Sequence, residues 1–244
     1  MKYRYIIHTL LDFILPATCS YCRSPVGDSG IPHFCEACWS DFSPLHGPVC
    51  TSCGRPFGSP VSLTDSPEHE CLSCRMTPPH YDQALAAGLF EGPLREAIHV
   101  YKYRPLRSLG EPLARWMAGQ VRMTVPLDIA MPVPLHKKRL RHRGFNQALL
   151  LAHGVSERFA MPLNYDNLVR VRYTRPQVEL SGRERAENVR GAFNLVRPAE
   201  VSDKRILLID DVFTTGATMN ECAKVLKDAG AASVTVLTLA RTAE

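Results

Sequence analysis

The stretch from Arg205 to Thr218 combines residue types that can hold a phosphorylated sugar. An apolar run, Ile206 to Ile209, is typical of a buried strand in a parallel sheet, and it ends in two adjacent carboxylates, Asp210 and Asp211. A turn of small and hydroxyl residues then leads into a helix, and it consists of Thr214, Thr215, Gly216, Ala217 and Thr218. Backbone N–H groups at a helix start attract an anion, and a glycine lets the backbone approach it closely. The pattern therefore predicts a phosphate site, with the carboxylates available to sugar hydroxyls directly or through a Mg²⁺ ion.

The same stretch argues against two common nucleotide sites, because it contains neither a P-loop nor the G-x-G-x-x-G of dinucleotide-binding folds. Residues 206–218, with an apolar strand, two acids and then T-T-G-x-T, resemble the phosphoribosyl pyrophosphate (PRPP) fingerprint of type I phosphoribosyltransferases. The alternative is a strand–turn–helix unit whose acids only cap the helix that follows. All features of the fingerprint occur in the required order, which favours a PRPP site.

Eight of the nine cysteines lie before residue 75 and form four C-x-x-C pairs. Two residues between thiolates let both sulfurs face one ion, and two such pairs complete a tetrahedral structural zinc site. We expect at most two structural Zn²⁺ ions, without a catalytic role. The predicted ligands, in sequential pairing, are Cys19, Cys22, Cys35 and Cys38, then Cys50, Cys53, Cys71 and Cys74.

Spacing alone leaves other interpretations of these cysteines open. A cross-braced pairing, a single zinc or an iron–sulfur cluster would each use the same C-x-x-C pairs. Disulfides are the rival in an oxidising compartment, and the cytoplasmic location expected below disfavours them. Fewer than one zinc per purified chain would contradict the structural-zinc prediction. Cys222 stands apart in the C-terminal helix and is expected to be a core residue.

The composition indicates a soluble globular protein with one core and a small additional module. The chain has 244 residues, 45% of them hydrophobic, and a net charge of +5 that mildly favours anionic ligands. The segment from Met1 to Leu15 is apolar in patches, but His8 and Asp12 interrupt it. It fits neither a signal peptide nor a membrane span. We expect a short amphipathic helix there, no membrane span and a cytoplasmic location.

Beyond residue 80, apolar runs alternate with helical patterns. Strands are predicted at Ala84–Phe90, Asp128–Val133, Leu168–Val171, Ile206–Ile209 and Ser233–Leu239. Helices are predicted from Gly92, at Pro112–Val121, at Phe145–Arg158 and after the turn as far as Ala229. This alternation predicts an α/β fold, a parallel twisted sheet with helices on both faces, which binds ligands at the carboxyl ends of its strands. With the resemblance above, we expect a type I phosphoribosyltransferase fold in residues 81–244, after a four-cysteine zinc-binding module in residues 1–80.

Two further polar segments flank the predicted phosphate site. The loop after the strand that ends at Val133 is strongly basic, and cations there would clamp the departing pyrophosphate of PRPP. The residues given this role are His136, Lys137, Arg139 and Arg143; the alternative for some of them is a solvated helix face. The arginine-rich stretch 174–190 is predicted to be a mobile lid, with an ordinary surface helix as the alternative. The lid residues are Gln177, Arg185 and Asn188.

The whole chain resembles the ComF/GntX family of competence-associated phosphoribosyltransferase-like proteins. The resemblance rests on the C-x-x-C pairs, on Tyr101-Lys102-Tyr103, on the phrase from Pro132 to Gln147 with its R-G-F-N-Q, and on the lid stretch. It implies a role in natural transformation or in the use of external DNA. The family is also similar to proteins proposed to handle single-stranded DNA inside the cell.

Three functions follow as hypotheses. The first is a transferase that binds Mg²⁺ and PRPP in DNA uptake or, alternatively, in nucleobase salvage. The second is a single-stranded-DNA-binding protein in which PRPP is only a regulatory ligand, with bases stacking on aromatic side chains. The aromatic candidates are Trp39, Phe42, Tyr101 and Tyr103. The third is an adaptor whose zinc module docks on a helicase or recombination mediator of the uptake machinery.

Overall fold

The computed structural model describes residues 17–27, 31–58, 69–104, 106–174 and 182–243. Its strands are β1 (Gln83–Leu89), β2 (Ile129–Pro132), β3 (Leu168–Arg170), β4 (Phe193–Leu195), β5 (Arg205–Phe213) and β6 (Ser233–Arg241). Four of them form a sheet in the order β1-β6-β5-β2, and every neighbouring pair is parallel. The predicted parallel sheet is therefore confirmed.

Eight α-helices lie in the described ranges. They are α1 (Glu36–Ser40), α2 (Leu72–Met76), α3 (Gly92–Tyr103), α4 (Gly110–Gln120), α5 (Lys137–Arg143), α6 (Gln147–Arg158), α7 (Gly182–Val189) and α8 (Ala217–Asp228). Short 3₁₀ turns occur at Arg107–Leu109 and Pro198–Glu200. None of the helices in these ranges is long and apolar enough to cross a membrane.

The two central strands are apolar on both faces because helices or the small sheet cover each side. Since side chains alternate along a strand, one face packs with α3, α4 and α6, and the other packs with α8 and β4. The first face carries Leu207, Ile209, Leu237 and Leu239, and the second carries Ile206, Leu208, Val234 and Val236. Cys222 of α8 is fully buried against the second face, as expected.

Two strand predictions need correction. β5 does not end at the acid pair, because its backbone continues to pair with β6 as far as Phe213 opposite Arg241. The strand predicted at Leu168–Val171 is β3, which pairs antiparallel with β4 outside the parallel sheet. β3 does not extend the parallel sheet at β2, because the outer edge of β2 is paired with another segment. Ala130 N donates to Pro162 O at 2.8 Å, and Asn164 N donates to Ala130 O at 2.9 Å.

The cysteine-rich segment covers the outer edge of β1. Ala84 N donates to Ser52 O at 2.7 Å, Leu45 N donates to Ala87 O at 3.0 Å, and Leu89 N donates to Ser43 O at 3.0 Å. These bonds pair main-chain groups that an uncovered edge strand would leave to solvent or to another chain. The helix predicted for Met1–Leu15 and the lid residue Gln177 lie outside the described residues.

Candidate functional site

The carboxyl ends of the four parallel strands meet at one edge of the sheet, where an open cleft of about 2210 Å³ is found. One wall is the segment from Asp210 to Asn220, which includes the acid pair and the turn after it. The other walls are the exposed side of α3, part of the basic helix α5, and a cysteine-rich unit that includes Cys53, Cys71 and Cys74. The site predicted from the sequence thus lies where ligands of open parallel sheets bind.

The turn between β5 and α8 has the backbone geometry of an anion site. Gly216 has a φ of 76°, a left-handed conformation that favours glycine. A Cβ at this position would lie 2.5 Å from Cζ of Phe213, so no larger residue fits without displacement. Helix α8 begins at the next residue, Ala217, and the first N–H groups of a helix lack partners within it. The turn therefore lets a ligand come close to the backbone at the N-terminus of a helix that is twelve residues long.

The two carboxylates have different environments. Burial, and next the neighbouring charge of Asp211, raises the pKa of Asp210 to about 7. Its Oδ1 accepts a hydrogen bond from Asp211 N at 2.9 Å. Asp211 is 3% exposed, and its Oδ2 has no hydrogen-bond partner among the described residues. A buried carboxylate oxygen without a donor is costly, and a ribose hydroxyl or a hard cation such as Mg²⁺ would satisfy it.

Lys102 is a residue of the site to which sequence reasoning gave no role. It lies on α3, and its Nζ is 2.7 Å from Oδ1 of Asp211. In the sequence, Tyr101-Lys102-Tyr103 indicated only a family resemblance. The available signal was a lysine directly after two apolar residues that face the core, Val100 and Tyr101. The lysine therefore supplies a fixed positive charge beside the acid pair.

The basic run forms helix α5 rather than a loop. Nδ1 of His136 accepts from Lys138 N at 3.2 Å and so caps the helix. Arg139 and Arg143 line the cleft, whereas His136 and Lys137 are not among the described residues that line it. Burial, together with the surrounding cations led by Arg170, lowers the pKa of His136. Of the four residues predicted to bind pyrophosphate, the structure therefore places two, Arg139 and Arg143, at the cleft.

A second residue missed by sequence reasoning is Arg170, the last residue of β3. It is 9% exposed, lines the cleft, and has an Nε without a hydrogen-bond partner among the described residues. Its guanidinium stacks 5.2 Å from the centre of the Phe193 ring. Burial, and next the Arg139 charge, lowers the pKa of Arg170. A buried cation of this kind favours an anionic ligand in the cleft.

The described part of the predicted lid is α7 and the residues beside it. Arg185 lines the cleft, and the backbone oxygen of Asn188 accepts from Nη2 of Arg172 at 3.0 Å. The turn after α7 is tied to α8, because Gly191 N donates to Oε1 of Glu221 at 2.6 Å. One end of this segment is thus anchored next to α8, the helix that begins after Gly216.

The eight N-terminal thiols form two compact clusters in the sequential pairing. Within each cluster the four Sγ atoms lie within 4.8 Å of one another. A tetrahedral zinc–thiolate site has bonds of about 2.3 Å and therefore sulfur–sulfur separations of about 3.8 Å. The Sγ–Sγ separations in the structure are 3.6 Å between Cys22 and Cys35 and 3.8 Å between Cys53 and Cys71. All nine cysteines lie in the described ranges and none forms a disulfide, so both clusters fit a structural zinc ion.

The aromatic residues proposed for base stacking have different positions. Phe42 and Tyr101 are buried, and Tyr101 donates its hydroxyl to Gln147 O at 3.0 Å. Trp39 packs against Phe42 with ring centres 4.5 Å apart. Tyr103 is 60% exposed and lines the cleft, where the Arg143 guanidinium lies 5.7 Å from its ring centre. Of these four residues, Tyr103 alone combines exposure with a place in the cleft.

Comparison with known proteins gives consistent matches for both parts of the chain. Residues 10–75 match the double zinc ribbon domain family, and residues 146–244 match the phosphoribosyl transferase domain family. The DNA utilization protein YhgH of Salmonella typhi is 32% identical over 225 residues, which cover 87% of this chain and 98% of that protein. Competence protein F of Haemophilus influenzae is 32% identical over 234 residues, which cover 91% of this chain and 96% of that protein.

Among solved structures, the glutamine PRPP amidotransferase of Bacillus subtilis complexed with ADP and GMP aligns with a TM-score of 0.39 and 24% identity. The alignment covers 55% of this chain and 26% of that chain. A similarity of this size says nothing about function.

Proposed function

This chain belongs to the family of DNA utilization protein YhgH and competence protein F, and from that premise we propose that it binds PRPP with Mg²⁺ and acts in DNA uptake or utilisation. It joins a double zinc ribbon to a phosphoribosyltransferase fold. The observation that carries the proposal is the unpartnered, buried Oδ2 of Asp211 beside the anion turn at Gly216. A sugar hydroxyl and a phosphate on the same ligand satisfy both features at once.

In this proposal the acid pair and the turn hold the phosphorylated ribose. Asp210 and Asp211 accept hydrogen bonds from the ribose hydroxyls, and the negative charge of the pair stabilises the oxocarbenium-like centre that forms when the anomeric C–O bond breaks. Lys102 keeps the Asp211 carboxylate oriented through their 2.7 Å ion pair. The 5′-phosphate binds at the turn, to main-chain N–H groups of Thr214, Thr215, Gly216, Ala217 and Thr218 and to the hydroxyls of the three threonines.

The pyrophosphate end of PRPP binds the cations of the cleft. Arg139 and Arg143 are proposed as its ligands because they line the cleft, and we add Arg170 for its unpartnered Nε. Arg139 is already oriented, since its Nη2 donates to Thr174 O at 3.0 Å. A bound Mg²⁺ ion would neutralise charge on the leaving pyrophosphate. Arg185, with Gln177 and Asn188 of the lid, is proposed to exclude water over this charge.

Isothermal titration calorimetry with PRPP and Mg²⁺ tests the proposal. Wild-type protein should bind PRPP, and alanine at both Asp210 and Asp211 should abolish binding, because the ribose loses its acceptors. Glu111→Ala is the matched control, since it removes an exposed carboxylate from α4 and should leave affinity unchanged. An unchanged circular dichroism spectrum and an unchanged urea unfolding transition of each variant verify that it folds. PRPP affinity that survives the double alanine substitution would refute these residue roles.

Single-stranded DNA is a second candidate ligand. The observation that favours it is the exposed Tyr103 in a cleft that also contains Lys138, Arg139 and Arg143. A stacking aromatic beside several cations is the usual composition of single-strand grooves. DNA affinity should then fall steeply with salt and decrease further in Tyr103→Ala. Binding that does not depend on salt would contradict this role.

The same proposal includes the organisation and location of the chain. We propose a zinc module in residues 1–80 and the PRPP-binding part in residues 81–244. A reducing cytoplasm is the location that would keep eight thiolates available to zinc. The zinc module is also the part that we would expect a helicase or recombination mediator to contact.

A further inference from the structure

Arg241 is a buried arginine that the proposed roles do not use. It ends β6 and is 2% exposed. Its Nη1 donates a hydrogen bond to the backbone oxygen of Cys53, a member of the second four-cysteine cluster. Its Nε donates to Thr242 O at 3.2 Å. A buried guanidinium is thus held against the backbone of a proposed zinc ligand.

The same guanidinium also contacts the residue that supports the anion turn. Its Cζ lies 5.0 Å from the centre of the Phe213 ring. Phe213 is 4% exposed, and the Tyr81 ring packs edge-on against it with a centroid distance of 6.1 Å. A Cβ built on Gly216 would lie 2.5 to 3.3 Å from three atoms of the Phe213 ring. The position of this ring therefore limits where the turn can lie.

The Cys53 carbonyl is in turn positioned by the metal-binding unit. Sγ of Cys50 accepts from Cys53 N at 3.5 Å and from Cys71 N at 3.2 Å, so the backbone wraps around the thiolates. A Cβ on Gly54 would lie 2.5 Å from Ala84 O, which shows that this segment sits directly on β1. Because structural zinc supplies much of the folding free energy of such units, loss of the metal would release the Cys53 carbonyl.

We propose that Arg241 is a positioning residue that couples zinc binding at the second cluster to PRPP binding at the Gly216 turn. This inference rests on the proposed function, because it takes PRPP as the ligand of the turn. The connection runs from the Cys53 carbonyl through Arg241 and the Phe213 ring to Gly216. The first two links are a hydrogen bond and a cation–ring contact, and the third is the closeness of the ring to Gly216, which leaves no room for a Cβ. Coupling between two binding equilibria is reciprocal, so PRPP must tighten zinc binding by the factor by which zinc tightens PRPP binding.

The test measures zinc retention rather than turnover. The zinc-loaded protein is titrated to equilibrium with the chromogenic chelator 4-(2-pyridylazo)resorcinol, with and without saturating PRPP and Mg²⁺. In wild type, PRPP should raise the chelator concentration that removes one of the two zinc ions by about 10-fold, within the usual range of coupling factors. The other zinc ion, at the first cluster, should be released at the same chelator concentration in both conditions.

Three variants separate positioning from general stability. Arg241→Met should still bind PRPP, more weakly, but its zinc retention should no longer depend on PRPP. Arg241→Lys keeps a donor for the Cys53 carbonyl and should restore part of the dependence. Arg115→Met is the control, because this arginine is 75% exposed on α4 and should behave as wild type.

The outcomes also distinguish this inference from the proposed function. If wild type binds PRPP in calorimetry but retains zinc equally well with and without it, the coupling is wrong and the proposed function stands. If wild type shows no PRPP binding, both fail together. If Arg241→Met loses zinc on purification, wild type and Arg241→Lys are compared instead. The coupling is overturned if PRPP does not change the chelator concentration that removes zinc from wild type.

Discussion

Replacing Lys102 with methionine should destabilise the fold, because it leaves the Asp211 carboxylate buried without its counter-ion. The two side chains are 20% and 5% exposed, and their charged atoms are 2.7 Å apart. At that distance and an effective dielectric constant of about 20, the Coulomb attraction is about 6 kcal/mol, and desolvation of both ions offsets a large part of it. Removal of one partner from a buried pair costs about 3–5 kcal/mol. We expect about 3 kcal/mol, the lower end, because Lys102 keeps some contact with water.

A double-mutant cycle isolates the interaction from the other effects of each substitution. Asp211→Asn should cost about 1–2 kcal/mol, less than Lys102→Met, because the lysine can extend its ammonium group towards solvent. The double variant should be more stable than the sum of the single effects predicts, by about 2 kcal/mol. Equilibrium urea unfolding of the zinc-loaded proteins, followed by tryptophan fluorescence and circular dichroism, measures each free energy of unfolding.

The exposed pair Glu111–Arg115 on α4 is the matched control for this cycle. Its side chains are 66% and 75% exposed, so the same cycle there should give a coupling below about 0.5 kcal/mol. If the Lys102 and Asp211 effects also add to within about 0.5 kcal/mol, the two charges do not form the buried pair in solution. That result would refute the assignment of Lys102 to the site.

Two other substitutions test the turn and the start of β5. Gly216→Ala should lower the free energy of unfolding by about 1–3 kcal/mol and weaken PRPP binding by about 10-fold or more in calorimetry, because φ is 76° and the new Cβ meets the Phe213 ring. Gly119→Ala, where nothing lies within 4 Å of the added Cβ, should leave binding unchanged. Asp128→Asn should destabilise at neutral pH, since hydrogen bonds from the Arg205 side chain, and next from its backbone N–H, lower the pKa of Asp128. That stabilisation is present above the ordinary pKa of about 4 and is lost as pH falls towards the folded value, so wild type and variant should converge in acid denaturation curves.

Local patterns predicted those parts of the protein in which neighbouring residues act together. The apolar run, acid pair and turn from Ile206 to Thr218 form a strand–turn–helix unit because each element depends on residues a few positions apart. The four C-x-x-C pairs predicted two four-thiol clusters for the same reason. The end of β5 was misjudged because main-chain pairing with β6 outweighs the polarity of Asp210 and Asp211.

Local patterns also could not assign separate roles within the basic run. His136 and Arg139 lie three positions apart at the start of one short helix, yet His136 caps the helix while Arg139 lines the cleft. Which side of this helix faces the site depends on the packing of α5, not on its composition. The same holds for the aromatic candidates, because burial separates Tyr101 from Tyr103 although they share one helix turn.

The sequence by itself determined the turn, the two groups of four cysteines and the alternation of strands and helices, because adjacent residues and their periodicity set these features. Only the tertiary structure decided that Lys102 neutralises Asp211, that Arg170 is a buried cation in the cleft, and that Arg241 bonds the carbonyl of Cys53, 188 residues away. These contacts join residues that no periodicity connects. They form because the carboxyl ends of parallel strands bring distant parts of the chain to one edge of the sheet.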